Sequence, residues 1–294
     1  MRYLIEHELR LAFARPVREH HCELRVAPAE TPTQRVRALD LATEPATELG
    51  TYVDYFGNRV HYCSVLGPHD HLVIRLHAEV DTLLTNPFEY APLPVPQERE
   101  WLAVQLRERP MLWDYVLHHS DLTPHLERLV AEGLVWPTYE PHQHLHEAVA
   151  SAGAWAAATL TVDPDELDGH ARLADAVSAG IGSATDLAHL LVAVVRSWGV
   201  PARLVLGYRD PTLAEEDAEA DTPVHGLHPW AEVLVPGAGW RGFDPTAGLV
   251  VNDAYVTVAV GRDAGDTVLH RSSFKGNDTP AREIALLVRR SGAQ

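Results

Sequence analysis

The sequence predicts an α+β fold: an N-terminal antiparallel β-sandwich-like domain, a helical bridge, and a second domain in which a helix packs on an antiparallel sheet. Three observations predict it. Apolar and polar residues alternate through residues 1–84, a proline-rich break opens a helically spaced stretch over 85–150, and an apolar helix followed by short strands fills 151–294. The alternation has the two-residue period of a half-buried strand. Leu9, Leu11 and Phe13 alternate with Glu8, Arg10 and Ala12, and Cys22, Leu24 and Val26 with Glu23 and Arg25. Leu72, Ile74, Leu76 and Ala78 do the same with Val73, Arg75 and His77. Between Tyr52–Phe56 and Arg59–Cys63, the Gly57-Asn58 pair is expected to supply the positive φ of a tight hairpin.

The stretch from Pro87 to Pro96 breaks the strand pattern. Glu98 to Leu106 and Leu126 to Leu134 have the spacing and composition of helices. Further on, Glu215 to Asp221 is a short acidic run. Its ordinary explanation is a solvated loop, and its sharper one a lid with a charge preference.

Composition narrows the function classes. With 46% apolar residues, the 294-residue chain has the material for one large or two smaller cores. A net charge of −17 argues against nucleic acid as a partner, because phosphate binding draws its affinity from Lys and Arg. No apolar run approaches the ~20 residues of a bilayer span, and the first residues turn charged too early for a secretory segment. No membrane association is expected, and the expected location is the cytoplasm. Cys22 and Cys63 are too few for a disulfide framework or a structural zinc site, and read as inert buried thiols. No cofactor or metal is expected. The His142, His144, His146 run would share one face if extended and could then invite a metal, but its surroundings look like a loop or helix start.

The chemistry concentrates after Gly180. A glycine-rich approach leads into an apolar helix, with capping-box spacing between Ser183 and Asp186 at its start and Gly199 with Pro201 at its end. A strand over Ala202 to Tyr208 follows, and then two more, Trp230 to Val235 and Trp240 to Phe243. In order, the chain carries Gly180, Gly182, Asp186, Ala188 and His189, then Gly199, Pro201, Ala202 and Arg203, then His228 and Trp230, then Asp244, Pro245 and Thr246.

This order resembles the core of bacterial transglutaminase-like proteins: Gly-x-Gly-x-Cys-x-Asp-x-Ala-His, Gly-x-Pro-Ala-Arg, His-x-Trp and Asp-Pro-Thr. The β-rich start and the segment Val258 to Asp263 also look like that family, so the resemblance covers nearly the whole chain. It implies a papain-like core in which the nucleophile helix packs on an antiparallel sheet, and a catalytic set at Ala184, His228 and Asp244. His228 would activate a thiol and Asp244 would orient the imidazole. The implied chemistry acts on an amide or peptide bond through an acyl-thioenzyme, so the implied substrates are a peptide, a protein or a small amide.

Ala184 departs from the pattern, because it stands where the cysteine should be. A methyl group performs no nucleophilic attack, so the protein as written is expected to be inactive. Ser183 and Thr185 are each one residue off, rotated about 100° around the helix start. Retention of His228, Trp230 and Asp244 favours a replaced cysteine over the alternative, a natural pseudoenzyme that binds a peptide or protein partner in the old cleft. Single residues also have plainer uses. A lone His228 could simply pack, Asp244 could start a turn, Asp186 serves the helix N-terminus, and His189 and Trp155 fit core packing.

Overall fold

The computed structural model describes residues 1–163, 169–213 and 226–291. The acidic run at Glu215 to Asp221 lies outside them. The chain opens with β1 Arg2–Leu24, β2 Gln34–Glu44, β3 Gly50–Val53, β4 Arg59–Val65 and β5 His69–Thr82, followed by α1 Val95–Glu108, α2 Asp114–Leu117 and α3 Leu145–Thr159. It continues with β6 Thr161–Val162, α4 Leu173–Ala179, β7 Ile181–Gly182, α5 Ala184–Ser197, β8 Ala202–Arg209 and β9 His228–Val235. It closes with β10 Gly239–Asp244, β11 Leu249–Val250, β12 Tyr255–Gly261, β13 His270–Lys275 and β14 Ala281–Arg290. The expected α+β architecture is present.

β1 organises the first sheet. Its early part pairs antiparallel with β5 and β14, and its last residues pair with β4 and β13. β2 extends the sheet beyond β5, and β3 beyond β4. One strand thus serves two half-sheets around a shared core that includes Tyr3, Leu9, Leu11, Leu24, Leu72 and Leu76. The last two strands of the chain return to this sheet, a pairing that the compositional division at residue 150 does not anticipate.

Within β1 the inward set changes parity. Buried positions are odd from Tyr3 to Phe13 and again at Val17, then even at His20, Cys22 and Leu24. The switch falls at Glu19, whose φ of 48° lies in the left-handed region, within the register shift between Arg18 and His21. One extra residue in a strand inverts which side chains face inward. His20 and Cys22 are inside as a result.

Two local expectations change. Only Gly57 of the Gly57-Asn58 pair has positive φ, at 87°. Asn58 is buried instead, donating to Val260 O at 2.8 Å and accepting from Val260 N–H at 2.7 Å, so it ties the hairpin to β12. The helix expected over Leu126 to Leu134 is a 3-10 helix, Leu126–Glu132, followed by Gly133 at φ 78°.

The second sheet is antiparallel, in the order β11-β10-β9-β8-β12. α5 packs on β8 and β9, and α3 and α4 pack on α5. Every α5 residue from Asp186 to Arg196 is buried, as expected of a central helix covered on all sides. Leu187, Leu190, Leu191 and Val194 share a core with Ala202, Ala231 and Val233, whereas Tyr208, Val256 and Val258 join the core of the first sheet. Near the end of α5, buried Arg196 donates to the carbonyls of Tyr115, His118, Ala202 and Arg262, pinning the bridge to the core. Among the described residues, no helix is long and apolar enough to cross a membrane.

Candidate active site

The start of α5 is built by a reciprocal cap. Ser183 Oγ accepts from the N–H groups of Thr185 (3.1 Å) and Asp186 (3.2 Å), and the Asp186 carboxylate accepts from the Ser183 N–H (2.8 Å). Asp186 also accepts from the His170 N–H (3.1 Å) and sits 3.0 Å from its Nδ1. It therefore works at the helix N-terminus, where its spacing placed it. These bonds leave the Ala184 N–H as the first-turn donor without an acceptor among the described residues. Ala184 is the first residue of α5 and is half-buried. The position combines the positive end of the helix dipole with that N–H.

His228 and Asp244 meet through sheet register. β8 follows α5 after a short turn and packs back along it, and the two have similar lengths: 14 helical residues span ~21 Å and 8 extended residues ~26 Å. The polar groups of the candidate site gather at the end of β8. There His228, the first residue of β9, is opposite Gly207, and Tyr255, the first of β12, is opposite Arg209. Asp244 is the last residue of β10.

His228 Nε2 donates to Asp244 Oδ2 at 2.7 Å. A carboxylate only accepts, so in the neutral ring Nδ1 carries the lone pair. Asp244 is 1% exposed. Its Oδ2 also accepts from the Tyr255 hydroxyl (2.8 Å), its Oδ1 accepts from the N–H groups of Thr246 (2.9 Å) and Ala247 (3.1 Å), and Arg209 lies 3.5 Å away. Burial alone would raise the Asp244 pKa, but the bonds from His228, Tyr255 and Ala247 outweigh it and hold the carboxyl below its ordinary value. Burial and the neighbouring Asp244 push Tyr255 upward, so it remains a donor. Sequence spacing did not identify Tyr255 or Arg209, because only the pairing of β8 with β12 brings them to Asp244.

Trp230, two residues along β9 from His228, is fully buried and meets Tyr255 edge-on at 5.3 Å. Two glycines make room for it. A Cβ on Gly207 would stand 2.2 Å from Val256 O and 2.5 Å from the indole, and one on Gly242 would meet Val251 and the indole nitrogen.

The other singled-out residues are placed as follows. Trp155 is half-buried and packs on the α5 core. His144 Nδ1 is 2.8 Å from buried Glu98, which also accepts from the Tyr139 hydroxyl and the Leu145 N–H at the start of α3. His142 is exposed, and His146 is half-buried with its ring edge-on to Tyr90. Cys22 and Cys63 are free and buried, directly opposite each other in the first sheet.

His189 is 1% exposed and its Nε2 accepts from the Ala264 N–H at 3.0 Å. Burial pushes its pKa from 6.5 down to about 4. Below about pH 6.5 the unfolded chain binds a proton that the native ring refuses, so stability falls as pH drops toward 4. The full loss is about 3 kcal/mol, reached near pH 4. Urea midpoints measured between pH 7 and 4.5 should fall more steeply for the parent than for His189→Gln. Equal slopes would show that the ring titrates normally.

Comparisons with known proteins agree with this layout. Residues 3–81 match the profile of the bacterial transglutaminase-like N-terminal region, and residues 135–245 match the transglutaminase-like superfamily. An uncharacterised protein of Mycobacterium leprae is 28% identical over 98% of this chain and 99% of its own length. Another from Mycobacterium tuberculosis is 26% identical over 90% of this chain and 85% of its own. A crystal structure from Cytophaga hutchinsonii, provisionally named a cysteine protease, covers 100% of this chain and 92% of its own at 18% identity, with a TM-score of 0.68. That likeness is one of fold.

Proposed function

The chain belongs to the transglutaminase-like superfamily, and from that premise we propose that its core is a site for thiol chemistry on an amide or peptide bond, with Ala184 occupying the nucleophile position. The observation that carries the proposal is His228 held through Nε2 at 2.7 Å by a buried, ionised Asp244, with Nδ1 left as its basic nitrogen. A carboxylate that only shaped a turn would have no need of the imidazole.

With a cysteine at position 184, His228 would take the thiol proton and the thiolate would attack the carbonyl carbon. The Ala184 N–H position would stabilise the oxyanion. As the tetrahedral species collapses, the C–N bond breaks, His228 returns the proton to the leaving amine, and a thioester remains. Water or an amine, deprotonated by the same imidazole, then releases the acyl group. Asp244 holds the ring in the required tautomer and stabilises the imidazolium. The protein with Ala184 lacks the attack, and its two free thiols support a reducing compartment, the cytoplasm, as its setting.

The test is an Ala184→Cys protein mixed with a carboxamide peptide and followed by intact mass. An acyl adduct formed with loss of ammonia or amine is expected, and it should be absent from Ala184→Cys/His228→Gln. A folded Ala184→Cys protein that neither acylates nor turns over any amide would favour a pseudoenzyme using the same cleft for binding.

A further inference from the structure

The first sheet gathers a second group of chemically competent side chains, remote from α5 in the sequence. One ligand atom from each of His20, Cys22 and His270 lies within 4.8 Å of the others. His20 and Cys22 come from β1 just after its parity switch, and His270 begins β13, where it pairs opposite Leu24. His20 is 0% exposed, and Nε2 of both His20 and His270 is buried without a partner among the described residues. Phe13 and Phe274 pack edge-on against the His20 ring at 5.6 and 5.3 Å and shield it from solvent. Buried polar nitrogens in native structures are normally satisfied, so two orphans beside one thiol require an explanation.

A hydrogen-bond relay fixes the tautomer of His20. His69 Nδ1 is 3.0 Å from Gly67 O, a carbonyl that only accepts, so Nδ1 carries the proton of the neutral ring. His69 Nε2 is then an acceptor, and His20 Nδ1, 3.1 Å away, donates to it. This leaves His20 Nε2 as a bare lone pair. Metal-binding histidines are commonly oriented in this way, the second nitrogen donating outward.

We propose that His20, Cys22 and His270 form a metal site for a borderline-soft divalent cation of the zinc type. Two imidazoles and a thiolate suit zinc better than calcium or magnesium, which favour oxygen ligands. With three protein ligands, the fourth tetrahedral position falls to water. Zinc bonds of about 2.0–2.3 Å bring donors within ~3.8 Å of one another, so the group closes by about 1 Å on binding. As the metal–sulfur bond forms, the Cys22 proton leaves to solvent. With ligands on β1 and β13, the ion would clamp the returning C-terminal strands to the first strand of the chain. The site does not depend on the thiol-enzyme proposal.

Cobalt(II) is the probe, added to reduced, untagged, full-length protein that has been stripped with a chelator. One cobalt per chain is expected, with a near-ultraviolet thiolate-to-cobalt charge-transfer band and the visible bands of a tetrahedral ion. Zinc should displace it and raise the melting temperature. Cys22→Ser, nearly isosteric and checked for native circular dichroism, should lose the charge-transfer band, and His270→Gln should weaken binding at least tenfold. His142→Asn/His146→Asn should retain both. Cobalt binding without the thiolate band, a band surviving Cys22→Ser, or failure of the reduced parent protein to bind would overturn the proposal.

Discussion

An Ala184→Cys protein is expected to react with a pyridyl disulfide probe at about pH 5.5 roughly tenfold faster than an ordinary exposed thiol, and faster still than the buried Cys22 and Cys63. An unperturbed thiol, pKa about 8.5, is only ~0.1% ionised at that pH. A thiol at a helix start beside imidazolium, pKa about 4.5, is mostly thiolate, a gain of about 900-fold in the reactive form. The same drop in basicity lowers intrinsic nucleophilicity by about 60-fold. Ionisation therefore wins, by about one order of magnitude. The reactivity should persist as pH falls until the thiolate itself protonates, and Ala184→Cys/His228→Gln should lose it. A rate that falls tenfold per pH unit from pH 8 downward would mean that helix and imidazole do not activate this position.

Asp244→Asn is expected to destabilise the parent protein by about 3–5 kcal/mol, a large share of the stability of a typical domain. Oδ2 accepts from His228 and Tyr255, and Oδ1 from the backbone at Thr246 and Ala247. An asparagine has one acceptor oxygen. With the amide oxygen kept toward the Thr246 and Ala247 N–H groups, the NH2 group faces His228 Nε2 and the Tyr255 hydroxyl, which can accept from it only if the ring changes tautomer and the hydroxyl turns, and Arg209 loses its anion. Denaturant unfolding of Asp244→Asn beside Tyr255→Phe would check this. Tyr255→Phe removes one donor and leaves the carboxylate otherwise satisfied, so it should cost about 1 kcal/mol. A loss below that value for Asp244→Asn would mean that the carboxylate is not the hub of this network.

Much of the site was legible because its parts are encoded locally. Ser183 and Asp186 are three residues apart, the spacing a helix cap requires, and the structure makes both of its bonds. His228 and Trp230 are two apart on one strand, and Asp244 opens a turn whose N–H groups it accepts. The partners of Asp244 were not legible. Tyr255 and Arg209 carry no local signal, and they reach the carboxylate only because β12 pairs with β8. The Gly57-Asn58 pair shows the same limit. Turn chemistry identified the hairpin, but a distant strand claimed the Asn58 side chain.

By itself the sequence determined the alternating strands, the capped apolar helix and the order of the residues that identify the superfamily, because those signals repeat within a few residues of one chain segment. Tertiary structure alone decided that β1 serves two half-sheets, that the insertion at Glu19 turns His20 and Cys22 inward, and that β13 brings His270 to them. The physical reason is register. A one-residue slip exchanges the two faces of a strand, and the choice is made by contacts with partners far along the chain, which no local periodicity encodes.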